Sequence, residues 1–158
     1  MRIKIKSNID SYTTTFTNIV DELGSEEIME KIGFYIENEM RKRFESGTDA
    51  DGKAWAKLKL RKGKPLRDTG RLMGSLGTAE INGNSVSLFS NLIYAGIHDR
   101  GGTITPKNAK MLAWTVGGKS YFAKSVTIPQ RKFSGISDKN KKDLRKLIKE
   151  YYTSKLNG

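Results

Sequence analysis

Apolar residues fall on three stripes of helical spacing, with shorter alternating runs between the second and third. The opening Arg2 to Lys6 alternates Ile3 and Ile5 with basic residues, the pattern of a short half-buried strand. After Asn8 or Asp10 comes a stripe of Tyr12, Phe16, Ile19, Val20 and Leu23, one face of a first helix that Gly24 ends. Ser25 is a suitable N-cap, followed by Glu26 and Glu27 in the first turn. From there Ile28, Ile32, Tyr35, Ile36, Met40 and Phe44 mark one face of a helix of about 20 residues, about 30 Å long. Arg41, Lys42 and Arg43 suit the negative end of its dipole, and Gly47 stops it.

Beyond residue 75 the period changes. Ser75 to Ile81 and Ser85 to Ser90 flank Asn82-Gly83-Asn84, a hairpin signal. Leu92 to Ile97 is apolar, Gly101-Gly102 marks a turn, and Thr103 to Thr105 reads as a short strand. Leu112 to Val116 and Tyr121 to Ile128 flank Gly117-Gly118, a second hairpin that Pro129 terminates. Ser137 or Asp138 then caps a last helix with Leu144, Leu147, Ile148, Tyr151 and Tyr152 on one face and mostly lysines on the other. The expectation is one α+β domain, 1–158, in which a long helix and a C-terminal helix pack on a twisted antiparallel sheet. Its parts are an N-terminal strand and helix (1–24), the long helix (25–46), a long basic loop (47–74), antiparallel strands (75–136) and the C-terminal helix (137–158).

The basic loop stands out. Between Lys53 and Arg71 there are eight cations, Lys53, Lys57, Lys59, Arg61, Lys62, Lys64, Arg67 and Arg71, against Asp68 alone. Glycines punctuate it, yet Trp55, Leu58, Leu66 and Leu72 recur at intervals that a disordered tail would not keep. It reads as an ordered, exposed, functional loop held to a core by apolar anchors. The plainer alternative is that Trp55, Leu58 and Leu66 are core anchors only, and that Asp68-Thr69-Gly70 is a turn or helix cap.

Composition narrows the chemistry. The 158 residues carry a net charge of +12, which favours anionic partners, nucleic acid among them, or simply a solvated surface. The chain has no cysteine, which excludes disulfides, thiol catalysis and Cys-based zinc sites. No apolar run is long enough to span a membrane, and the N-terminus lacks the apolar core of a signal peptide, so the cytoplasm is the expected compartment. His98 is the single histidine. On a strand, its neighbours Asp99 and Arg100 would point to opposite faces, so a structural or interface role is favoured over catalysis. Asp49 and Asp51 lack the spacing to the bidentate Glu of a calcium loop and read as a turn. No phosphate-binding GxxxxGK[ST] motif is present. No catalytic residue, metal or cofactor is expected.

Five short motifs in order resemble a known family. They are Arg43-Phe44-Glu45-Ser46-Gly47; Asp51-Gly52-Lys53-Ala54-Trp55 with Leu58; Leu66 with Asp68-Thr69-Gly70, Leu72 and Ser75; Tyr94-Ala95 with His98 and Gly101-Gly102; and Ile128-Pro129 with Arg131, Phe133 and Gly135. Together, over roughly 28–152, they resemble the phage virion morphogenesis family, the Mu-like G proteins and P2-type tail completion proteins. The resemblance implies a structural, non-enzymatic protein of a phage or prophage. Its expected role is tail completion or head–tail joining, as part of a ring. Expected partners are other virion neck or tail proteins and further copies of the chain. DNA is a further candidate partner and no membrane is involved. The host cytoplasm and then the virion are the expected locations. The interface candidates are Trp55, Arg61, Lys62, Lys64, Arg67, Arg71, His98 and Arg131, with Glu22, Glu26, Glu27, Glu30 and Glu37 as an opposing acidic face. The alternative function is a nucleic-acid-binding module that uses the basic loop and the C-terminal helix.

Overall fold

The structure is a computed structural model that describes residues 3–4, 26–76, 80–82 and 85–156. The expected first helix, its caps and Glu22 lie outside the described residues, as do Ser25 and the Gly83-Asn84 turn. The elements are β1 (Ile3–Lys4), α1 (Glu26–Ser46), α2 (Arg71–Gly74), β2 (Glu80–Asn82), β3 (Ser85–Ser87), β4 (Phe89–Ser90), α3 (Ala95–Arg100), β5 (Gly102–Ile104), β6 (Leu112–Val116), β7 (Lys119–Ala123), β8 (Val126–Ile128) and α4 (Asp138–Leu156). This is the expected mixed α+β chain.

Helix α1 is the spine. Its apolar stripe is long enough to serve two cores in turn. Near its start Ile28, Met29 and Ile32 pack with Leu144, Ile148 and Tyr151 of α4. Near its end Met40 and Phe44 pack with Trp55, Leu72, Leu76, Leu88, Ala95 and Phe133. Ile36 borders both. The helix stops at Gly47, which adopts φ 73 and donates its N–H to the Arg43 carbonyl at 2.8 Å. Helix α4 starts at a reciprocal cap: Ser137 Oγ accepts the Asn140 N–H, while Asn140 Oδ1 accepts the Ser137 N–H and hydroxyl.

Among the described residues the antiparallel pairing is spread over four two-stranded ladders, β1–β4, β2–β3, β5–β8 and β6–β7. Gly117 and Gly118, both with positive φ, make the tight turn between β6 and β7. The single expected strand from Tyr121 to Ile128 is divided. Its first part pairs with β6 and its second with β5. Residues 102–128 therefore form an arm of two ladders in which no residue is buried. Neither core includes a residue of the arm.

The arm leaves and returns at one narrow point. Gly101 has φ 72, and a Cβ there would lie 2.8 Å from the Gln130 backbone nitrogen. Gly101→Ala should therefore lower stability by about 2–4 kcal/mol, combining backbone strain with a clash against main chain that cannot swing aside. A urea unfolding curve that coincides with wild type would show that the arm base has slack.

A second difference from the sequence expectation concerns Asp99 and Arg100, which the extended reading put on opposite faces of a strand. They lie in α3, where Ala95, Gly96 and Asp99 face inward and Arg100 faces out.

Candidate assembly surface

The candidate surface rests on an irregular strip, 131–135, in which Arg131, Phe133 and Ser134 are buried and whose backbone groups have no ladder partner among the described residues. Such groups must be satisfied one at a time. The Arg131 N–H donates to the His98 carbonyl at 2.9 Å. Asp99 Oδ1 accepts the N–H groups of Phe133 and Ser134, both at 2.9 Å, and its Oδ2 accepts the Ser134 hydroxyl at 2.7 Å. Arg43, buried on α1, donates to the carbonyls of Phe133 and Gly135, both at 2.8 Å, and to Asn140 Oδ1. The Trp55 indole N–H donates to the Lys132 carbonyl at 3.1 Å. Phe44 lies between Trp55 and Phe133, with ring centroids 5.5 and 5.2 Å away. Four of the five sequence motifs thus meet at this strip.

The strip in turn fixes the basic loop. Gly47 to Trp55 is a closed turn: the Trp55 N–H returns to the Gly47 carbonyl, and Asp49 Oδ1 accepts the N–H groups of Asp51 and Lys53. Those bonds use Asp49 as a turn former, as its spacing indicated. Arg131 then holds the next stretch, with Nε donating to the Ala56 carbonyl and Nη2 to that of Lys57. Among the described residues no group of three or more acidic or histidine side chains is arranged to hold a metal ion, and no helix is long and apolar enough to cross a membrane.

The interface candidates divide into two groups. Trp55 and Arg131 are buried and occupied inside the chain, so their visible work is to position the loop. Arg61, Arg71 and His98 meet at a groove of about 420 Å³ between the loop and α3, where Arg131 forms part of the wall. Lys62, Lys64 and Arg67 do not line it. Lys62 and Lys64 are exposed, and Lys64 Nζ donates to the Glu45 carbonyl. Arg67 is half-buried. His98 is half-buried, edge-on to Tyr94, and its Nδ1 is buried without a hydrogen-bond partner. Burial first, and then the Arg131 charge, hold His98 below the ordinary histidine range, so it is neutral at pH 7.

Arg43 and Asp99 are the residues that sequence reasoning missed as site residues. Arg43 had a faint signal, since it lies three residues past Met40 and next to Phe44, on the edge of the apolar stripe. Asp99 had none beyond lying four residues after Ala95.

Comparison with known proteins agrees with the motif order. The model of the phage virion morphogenesis family matches residues 8–153. The "Mu-like prophage FluMu G protein 2" of Haemophilus influenzae is 32% identical over 125 residues, which is 79% of this chain and 76% of that protein. No solved structure matches.

Proposed function

Because the chain belongs to the phage virion morphogenesis family, we propose that this phage structural protein acts in tail completion or head–tail joining, as one copy in a ring and without catalysis. On this reading it is made in the host cytoplasm and ends in the virion.

The observation that carries the reading is the arm. Among the described residues its strands pair only with each other, and it has no buried residue. Phe122 is 65% exposed, with Ile104 and Met111 also exposed. Exposed large apolar side chains on an element outside both cores mark a candidate interaction surface. Heterologous contacts that close a ring need such an element on each copy to meet a different patch on the next. The outward loop cations Lys62 and Lys64 supply a second surface.

The test is complementation of a phage that lacks this gene. A Met111→Ser, Phe122→Ser variant changes only exposed side chains, so its unfolding midpoint should stay within about 0.5 kcal/mol of wild type. Infectious particle yield should nevertheless fall by orders of magnitude, and a smaller loss is expected when Arg61, Lys62 and Lys64 are reversed to Glu. Wild-type yield from both variants would refute the reading.

The nucleic-acid alternative rests on Lys142, Arg145 and Lys149, exposed on α4 with no ion-pair partner among the described residues. It predicts binding to duplex DNA that weakens steeply and log-linearly with salt.

A further inference from the structure

The geometry points to the groove between the basic loop and α3 as a docking site for an acidic peptide segment of another virion protein, a carboxylate seating against Arg61, Arg71 and Arg131. The proposal rests on the assembly role above and names the chemistry of the partner.

The groove is lined by both charged and apolar side chains. Leu58, Leu66, Leu72 and Tyr94 form the apolar part. Three guanidinium groups face a single carboxylate, Asp68, which lies 3.6 Å from Arg61 and is itself 76% exposed. Arg71's side chain has no partner among the described residues. Arg131 uses Nε and Nη2 on loop carbonyls and keeps Nη1 for a ligand. Arg61 lies near enough for its charge to oppose that of Arg131. A carboxylate relieves that repulsion and can accept a charge-assisted N–H bond from the guanidinium groups around it. The volume suits a few side chains and not a whole domain.

Two further features belong to the same groove. A buried polar atom without a partner is rare, and His98 Nδ1 is one. Leu66, in the wall, has φ 60, a left-handed conformation that costs a leucine about 1–2 kcal/mol and that tends to persist at binding sites.

Charge complementarity selects a different chain over a second copy. This chain has a net charge of +12. Two of the candidate acidic partners on α1 are also already engaged, Glu27 by Tyr151 and Lys155 and Glu37 by Arg41. Nucleic acid fits less well, because Tyr94 is the lone large aromatic side chain lining the groove and offers little surface for base stacking.

His98 makes the test direct, because imidazole resonances of isotope-labelled protein come from one residue. The probes are short overlapping peptides from the acidic stretches of the same phage's neck and tail proteins, and separately a short oligothymidylate. At least one peptide should move the His98 signals saturably. Its affinity should fall about tenfold or more when its acids become amides, and again in an Arg61→Ala, Arg71→Ala variant. Arg71 is exposed, Arg61 partly so, and neither belongs to either hydrophobic core, so the variant should keep its fold. Peptides that leave His98 unmoved, or an oligonucleotide that moves it in their place, overturn the proposal. Complementation separates the two levels. If deletion of the gene blocks assembly but the double variant restores full yield, the groove proposal falls and the assembly role stands. If deletion is harmless, the assembly role falls.

Discussion

Asp99→Ala should destabilise the protein by about 3–5 kcal/mol. The carboxylate is buried and accepts two backbone N–H groups and one hydroxyl from Phe133 and Ser134. Alanine leaves those donors in a site that water does not reach, and each buried unsatisfied donor costs about 1–3 kcal/mol. The Ser134 hydroxyl can rotate to another acceptor, but the two amides cannot. Since a domain of this size has about 5–15 kcal/mol in total, the loss is a large fraction of its stability. Asp99→Asn separates acceptor loss from shape. The amide oxygen can keep the two backbone bonds, and Ser134 Oγ can turn to accept from the new NH₂ group. That variant should lose about 1–2 kcal/mol. Urea unfolding measures both, and equal losses for the two variants would mean that the carboxylate's charge, and not its acceptor count, holds the strip.

Arg43→Met is the second large effect, about 2–4 kcal/mol. Methionine keeps the buried stem but drops the bonds to Phe133, Gly135 and Asn140, leaving the two carbonyls short of donors, while Asn140 Oδ1 keeps the Ser137 N–H and hydroxyl. Part of the loss is offset, because a buried guanidinium is itself costly to desolvate: burial is the main influence holding Arg43 below the ordinary arginine value, opposed by the charges of Glu39, Asp49, Asp51 and Asp99. Arg43→Lys should recover little. One ammonium on a flexible stem cannot span two carbonyls and a side-chain amide as the planar fork does. Both Arg43 and Asp99 act on 133–135, so the double variant should be less destabilised than the sum of the singles. Additive losses would mean that the strip has independent halves.

Much of the frame was legible because it follows from periodicity. The stripes from Ile28 to Phe44 and from Leu144 to Tyr152 predicted α1 and α4, and Gly117-Gly118 predicted the β6–β7 turn. The split of Tyr121 to Ile128 into β7 and β8 was not legible. Alternation tells which side chains share a face, not which strand lies alongside. The helical turn of α3 was also hidden. Six residues do not hold a helix by propensity, and this one is fixed by the strand-like strip packed against it. Arg43 was read as a cation suiting the helix dipole and Asp99 only as a neighbour of His98, because arginines and aspartates are seldom fully buried. Their partners are backbone groups 90 and 34 residues away, which carry no side-chain signature. Trp55 and Arg131 were identified as notable residues, and the structure shows how each is used within the chain: one in the core, the other tying the loop down.

Electron microscopy of lysates from a phage that lacks this gene tests the assembly role most directly. Full heads lying beside unattached or unfinished tails are the expected result, and supplying the wild-type protein in trans should restore joined particles. Normal, infectious virions from the deletion would contradict a role in completing the tail or joining it to the head.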